Sequence, residues 1–114
     1  MEPICTKIEQ ISIVVKDVEA VVRVFTEQYG IGPWLIANFG RVPGDEEFNS
    51  NAVEVKDVIL RGKYVGDYGA KIGICDIRDF QIELIEPLDD RSLFSGYLKE
   101  HGIGCQHMAV DNTI

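Results

Sequence analysis

A chain of 114 residues supports one small domain with a modest core, and 19 acidic against 11 basic residues leave a formal net charge of -8. That balance repels nucleic acid and anionic membrane surfaces, which excludes duplex, RNA and lipid-surface binding as primary roles. No apolar run approaches the length of a bilayer span, and the opening MEPICTKIEQ does not follow the basic-then-apolar pattern of a secretion signal, so a cytoplasmic location is expected. Cys5, Cys75 and Cys105 form no CxxC pair, which argues against a zinc knuckle and for reduced thiols acting as small buried hydrophobes.

In chain order, KIEQISIVV (7–15) is β-branched and alternating. Ile11, Ile13 and Val15 share one face, and Ile8, Gln10, Ser12 and Val14 share the other. Asp17 then caps a helix whose Val18, Val21, Val22, Phe25 and Tyr29 recur at helical spacing until Gly30 ends it. WLIANF (34–39) reads as a short strand, and GRVPGDEEFNSNA (40–52) as an exposed loop. Two further strands are expected over 53–62 and 68–77, the second joined through Arg78-Asp79 to FQIELIEP (80–87) as a hairpin. Ser92 caps a last helix with an apolar side of Leu93, Phe94, Tyr97 and Leu98, ended by Gly102 and Gly104.

The strand at 80–87 puts Phe80, Ile82 and Leu84 on a core face and Gln81, Glu83 and Ile85 on the other, a mixture that suits a lined cavity. Near the end, QHMAV repeats the pattern of EQISIVV, as though a second similar unit begins. A βαβββ unit followed by a fresh strand leaves sheet edges that another chain can pair with, so a homodimer, with elements exchanged, is expected.

Taken together, IEQISIVVKDVEAVVRVFTEQYGIGPW and the block IELIEPL, helix, HGIGCQHMAV resemble the first module of the vicinal oxygen chelate superfamily, in its glyoxalase and methylmalonyl-CoA epimerase branch. The resemblance spans nearly the whole chain. It implies an α+β fold, the glyoxalase/bleomycin-resistance βαβββ module with a curved mixed sheet completed by a partner module or a dimer. Residues 1–103 would be that module, and 104–114 the first strand of a second, truncated one.

The resemblance also assigns a metal site. Its first-strand position falls on Gln10, its fourth-strand position on Glu83, and the position opening the second module on His107. Many relatives have His at the first position and a His pair at the third, whereas here stand Gln10 and Gln106-His107. The fourth ligand of the family, a Glu late in the second module, has no counterpart, so completion by water, substrate or a second copy is implied. An amide oxygen, a carboxylate and an imidazole suit a divalent ion such as Zn²⁺, Co²⁺, Ni²⁺ or Mn²⁺. A two-His, one-carboxylate iron site for ring cleavage is disfavoured because Gln10 replaces an imidazole.

Two functions follow from the resemblance. One is a metal-dependent lyase or isomerase that moves a proton next to the carbonyl of a thioester or glutathione adduct, as methylmalonyl-CoA epimerase and lactoylglutathione lyase do. Glu83 would then be a ligand first and a catalytic base second. The other is a non-catalytic protein that sequesters a small molecule, of the bleomycin-resistance type. Plain structural roles compete at each position: His107 as a hydrogen-bonded structural residue and Gln10 as a cross-strand hydrogen-bonding partner. His101 reads as a helix-end residue facing the helix dipole. Trp34 and Phe39 are candidates for a pocket wall, though aromatics on strands are more commonly core. Lys56, Arg61, Lys63 and Lys71 could steer a charged substrate, but the interspersed Asp57 and Asp67 read as a solvated face.

Overall fold

The computed structural model describes residues 7–54, 59–60, 63–64 and 68–110. The elements in chain order are β1 (Ile8–Val14), α1 (Val18–Tyr29), β2 (Leu35–Gly40), α2 (Glu46–Asn51), β3 (Ile59–Leu60), β4 (Lys63–Tyr64), β5 (Gly69–Ile77), β6 (Phe80–Pro87), α3 (Leu93–His101) and β7 (Gly104–Val110). Five strands form one mixed, open sheet in the order β2-β5-β6-β1-β7, and β3 pairs with β4 as a separate ribbon. This is the α+β arrangement that the resemblance implies. β5 and β6 form the expected hairpin, with Ile77 opposite Phe80 and Arg78 at the turn with φ 42°. β1 lies parallel to β6 on one side and antiparallel to β7 on the other.

The period-two pattern of β1 and β6 puts their apolar residues where α1 covers them. Val15, Val18 and Leu84 form a buried cluster, with Ile13, Val21, Val22, Phe25, Trp34 and Ile82 packed around it. Each fully buried aliphatic side chain of this kind contributes roughly 1.5–3 kcal/mol. Asp17 caps α1 through Ala20 N–H, and Glu86 from the end of β6 accepts from Val18 N–H at 2.9 Å, so the helix is tied at its start to the strand it covers. Gly30 ends α1 in the left-handed region at φ 64°. α3 is capped by Ser92 and packs against β1, β6 and β7, and its Tyr97 hydroxyl donates to Cys105 O at 3.0 Å.

Several expectations are corrected. The segment 40–52 is not all loop: Asp45 accepts from Phe48 N–H and starts the short helix α2, which buries Phe48. Of the strand expected over 53–62, Val53 makes only an isolated parallel bridge to Phe39 of β2 and Ile59–Leu60 belongs to the small ribbon, while 55–58 and 61–62 lie outside the described residues. Gly104 opens β7 and does not end α3. Tyr29 and Leu93, both expected on apolar helix faces, are exposed. Cys75 is buried as expected, but Cys105 on the edge strand is exposed; Cys5 lies outside the described residues.

Candidate functional site

β6, β1 and β7 lie side by side, and their register sets Glu83, Ser12 and His107 in one row across the sheet. Gln10 stands two residues before Ser12 and therefore projects from the same face, opposite Gln81 on β6. The three positions named by the resemblance thus share the face away from α1. Ser12 is the hub. It is fully buried, and its hydroxyl donates to Glu83 Oε1 at 2.7 Å while lying 3.5 Å from Gln10 Oε1. One hydroxyl proton cannot serve both oxygens, and the shorter contact takes it.

His107 approaches from the edge strand, with Nε2 3.9 Å from Glu83 Oε1. Its Nδ1 hydrogen-bonds to the Gln106 side-chain oxygen. The register between β1 and β7 shifts after Ser12, from Ser12–His107 to Ile13–Cys105, so Gln106 has no partner across the ladder and its side chain turns back to the ring. An oxygen at Nδ1 holds the proton there and leaves the Nε2 lone pair facing Glu83. Phe94 of α3 stacks near the imidazole at 6.2 Å, and Tyr68 meets Phe94 edge-on at 6.0 Å. Burial, and then the negative charge of Glu83, push the Tyr68 hydroxyl above its ordinary 10.0.

The donor set tolerates a divalent ion. Two atoms bound to one metal at about 2.1 Å can be no more than about 4.2 Å apart, and the Glu83 and His107 atoms meet that limit at 3.9 Å. Among the described residues no group of three His, Cys, Asp or Glu side chains is placed to hold a metal ion; the Gln10 amide oxygen lies 3.5 Å from Ser12 Oγ beside this pair. An open groove of about 460 Å³ adjoins the row at Gln10, lined also by Asp76, Gln81 and Ala109.

The other candidates fall elsewhere. Trp34 belongs to the α1 side, where its ring lies 5.4 Å from Phe25 and its indole N–H donates to Ile31 O, so it is core and not wall. Phe39 lies on the face of Glu83 by register. His101 is the last residue of α3, 3.5 Å from Glu100 and stacked at 4.8 Å on Tyr97. Lys71 pairs with Glu19 at 3.3 Å, as a solvated face would. Lys56 and Arg61 lie outside the described residues, as does the side chain of Lys63. Sequence reasoning gave no role to Ser12, although a small hydroxyl between Ile11 and Ile13 on the face of Gln10 was the available signal. Tyr68 stood in the strand expected over 68–77, which begins at Gly69, and Gln106 was read only as the residue beside His107; neither was given a role.

Comparison with known proteins agrees with this architecture. The model of the Glyoxalase/Bleomycin resistance protein/Dioxygenase superfamily matches residues 9–112. The chain belongs to this superfamily. Among solved structures with the same fold are a hypothetical protein from Bacillus halodurans (TM-score 0.59, 21% identity, covering 91% of this chain and 56% of that one) and methylmalonyl-CoA epimerase from Mycobacterium tuberculosis (0.56, 18%, 94% and 55%). The Streptomyces coelicolor methylmalonyl-CoA epimerase, in complex with 2-nitronate-propionyl-CoA, is similar at TM-score 0.57 and 20% identity, covering 93% of this chain and 61% of that one. The glyoxalase-superfamily chain therefore spans about 55–61% of the length of these structures. No curated protein matches the chain at a significant level. No helix among the described residues is long and apolar enough to cross a membrane.

Proposed function

We propose that this chain supplies half of a metal-dependent lyase or isomerase site that moves a proton next to the carbonyl of a thioester or glutathione adduct. The carrying observation is the convergence of Gln10, Glu83 and His107 around Ser12 on one sheet face, with Glu83 Oε1 3.9 Å from His107 Nε2. Gln10 Oε1, the Glu83 carboxylate and His107 Nε2 would hold a Zn²⁺, Co²⁺, Ni²⁺ or Mn²⁺ ion. When bound, such an ion supplies Lewis-acid stabilisation of the negative charge that develops on a substrate oxygen as the neighbouring proton leaves.

The chain's own residues do the rest. Ser12 holds one Glu83 oxygen in place through its hydroxyl, Gln106 sets the imidazole tautomer, and Tyr68 offers a neutral donor beside the row. Because its proximal oxygen is engaged by Ser12, Glu83 serves as a ligand in preference to a mobile base. An acyl-CoA substrate of the 2-methyl-branched type is the first choice, supported by fold likeness to an epimerase bound to a propionyl-CoA analogue. Residues 104–114 would open a second module, with β7 as its first strand; β7 is an edge strand with Met108 and Val110 exposed, which suits pairing with a further module or a second copy. The aromatic line Tyr68–Phe94–His107 favours one alternative, a non-catalytic site that stacks a planar small molecule.

Metal analysis of protein purified without chelator, paired with solvent deuterium uptake at the α-carbon of a 2-methyl-branched acyl-CoA, tests the proposal. Stoichiometric divalent metal that is lost in Glu83→Ala and His107→Ala, together with deuterium uptake, is expected. Protein that neither retains nor takes up metal and still binds a planar ligand would overturn the enzymatic reading in favour of sequestration.

A further inference from the structure

The side chains beyond the donor row form a directed chain of hydrogen bonds. Gln10 Nε2 donates to Gln81 Oε1 at 2.7 Å, and Gln81 Nε2 donates to Asp76 Oδ1 at 3.0 Å. The register places these residues in one line across three strands, with Asp76 opposite Gln81 on β5 and β6 and Gln81 opposite Gln10 on β6 and β1. The direction follows from chemistry. An ionised carboxylate only accepts, so Asp76 draws the amide nitrogen of Gln81 towards itself. That turns the Gln81 oxygen towards β1, where it can only accept from the Gln10 nitrogen. The Gln10 oxygen is then left pointing along the sheet towards Ser12, at 3.5 Å from its hydroxyl.

We infer that Asp76 and Gln81 are positioning residues that fix the Gln10 amide with its oxygen towards the donor row and its nitrogen away, so that a residue with two opposite ends acts as an oxygen ligand. A glutamine is a poor choice for a metal site unless something decides which end it presents: the NH₂ end cannot coordinate, and a free amide samples both orientations. A histidine or a glutamate at this position would need no such device. The relay answers the question raised by finding an amide where an imidazole is the commoner residue. This rests on the metal-binding reading above, and it adds residues that neither the sequence pattern nor the donor row points to.

The consequence is a coupling between two positions. Replacing Gln81 by Leu removes the acceptor that holds the Gln10 nitrogen, frees the amide to rotate, and weakens the metal site by about tenfold, the lower end of what ligand-orienting groups contribute. A Gln10→Glu chain presents an oxygen whichever way it turns, so in that background the same Gln81→Leu change leaves affinity within about twofold. Asp76→Asn keeps an oxygen that can accept from Gln81 and stays close to the parent, whereas Asp76→Leu behaves like Gln81→Leu.

Titration with Co²⁺, followed by visible absorption, on the parent, Gln81→Leu, Asp76→Leu, Asp76→Asn, Gln10→Glu and the Gln10→Glu/Gln81→Leu double variant reads all of this, with circular dichroism confirming that each is folded. The expected result is a tenfold loss for Gln81→Leu in the parent that disappears in the Gln10→Glu background. If the parent binds Co²⁺ and Glu83→Ala and His107→Ala abolish binding while Gln81→Leu changes nothing, the relay is overturned and the metal site stands. An equal loss for Gln81→Leu in both backgrounds also overturns it, because the residue then acts on stability and not through the amide. A parent that binds no Co²⁺ overturns the relay and the metal reading together.

Discussion

The two faces of β1 do opposite work with alternate residues. Ile13 and Val15 join the apolar cluster under α1, where Leu84 and Val18 are wholly buried. Gln10 and Ser12, one residue out of phase, donate to Gln81 and Glu83, on a face that also holds the buried Val14 and Ile85. A strand allows this division because its side-chain period is two, so neighbouring residues on one backbone face opposite sides of the sheet. Damage to the first face should therefore read as lost stability. Damage to the second should read mostly as lost binding.

Changes that break the frame common to both faces should have the largest effect. Gly40 has φ 81°, and a Cβ there would lie 1.5 Å from the carbonyl oxygen of Tyr68, so Gly40→Ala must move the backbone that carries Tyr68. A loss of at least about 3 kcal/mol in urea unfolding is expected, with the Tyr68–Phe94 contact displaced as well. Leu84→Ala removes a fully buried side chain from the α1 face. It should cost about 2–5 kcal/mol in the same measurement while leaving metal affinity of the remaining folded protein unchanged.

On the polar face, Ser12→Ala deletes the donor to Glu83 in a fully buried position. A stability loss of about 1–3 kcal/mol is expected, with a larger proportional loss in Co²⁺ affinity than Leu84→Ala shows. If both variants lost stability alone, the division between the faces would fail.

The smallest effect concerns acid. Asp89 is subject to burial, which raises its pKa, but hydrogen bonds from the Arg91 side chain and backbone and from Gly69 N–H, with the Arg91 charge, outweigh it and hold the carboxyl below its ordinary 3.8. A depressed carboxyl contributes stability that is complete above its unfolded value and is lost as pH falls through the folded one. Asp89→Asn should accordingly be less stable than the parent at neutral pH, and the gap should close as the pH drops below the ordinary carboxylate range. Thermal unfolding across pH 2–7 measures that gap, with 7 and 2 chosen as limits about three units above and about two units below the carboxylate range.

How much of this was legible depended on length and regularity. The alternation in 7–15 and 80–87 assigned which residues share a face, but not that both faces are buried: Val14 and Ile85, on the face of Ser12 and Glu83, are as buried as Val15 and Leu84. Capping residues marked α1 and α3 correctly at Asp17, Gly30, Ser92 and Gly102. The helix α2 was hidden in a charged, glycine-bearing stretch, since six residues with a single buried Phe48 give no periodicity to read. Gln10, Glu83 and His107 were identified through family resemblance, and each then fell on the face that alternation allowed. What the sequence did not reveal is how they are held: Ser12, Gln81 and Asp76 act through register between strands far apart in the chain, and Gln106 through an irregularity in pairing, and neither register nor bulge has a local signature.

Anomalous diffraction from crystals grown with Co²⁺ tests the central claim most directly. The account predicts a single strong peak about 2.0–2.2 Å from Gln10 Oε1, a Glu83 oxygen and His107 Nε2 together. A peak elsewhere on the molecule, with those three side chains retaining their metal-free hydrogen bonds, would contradict it.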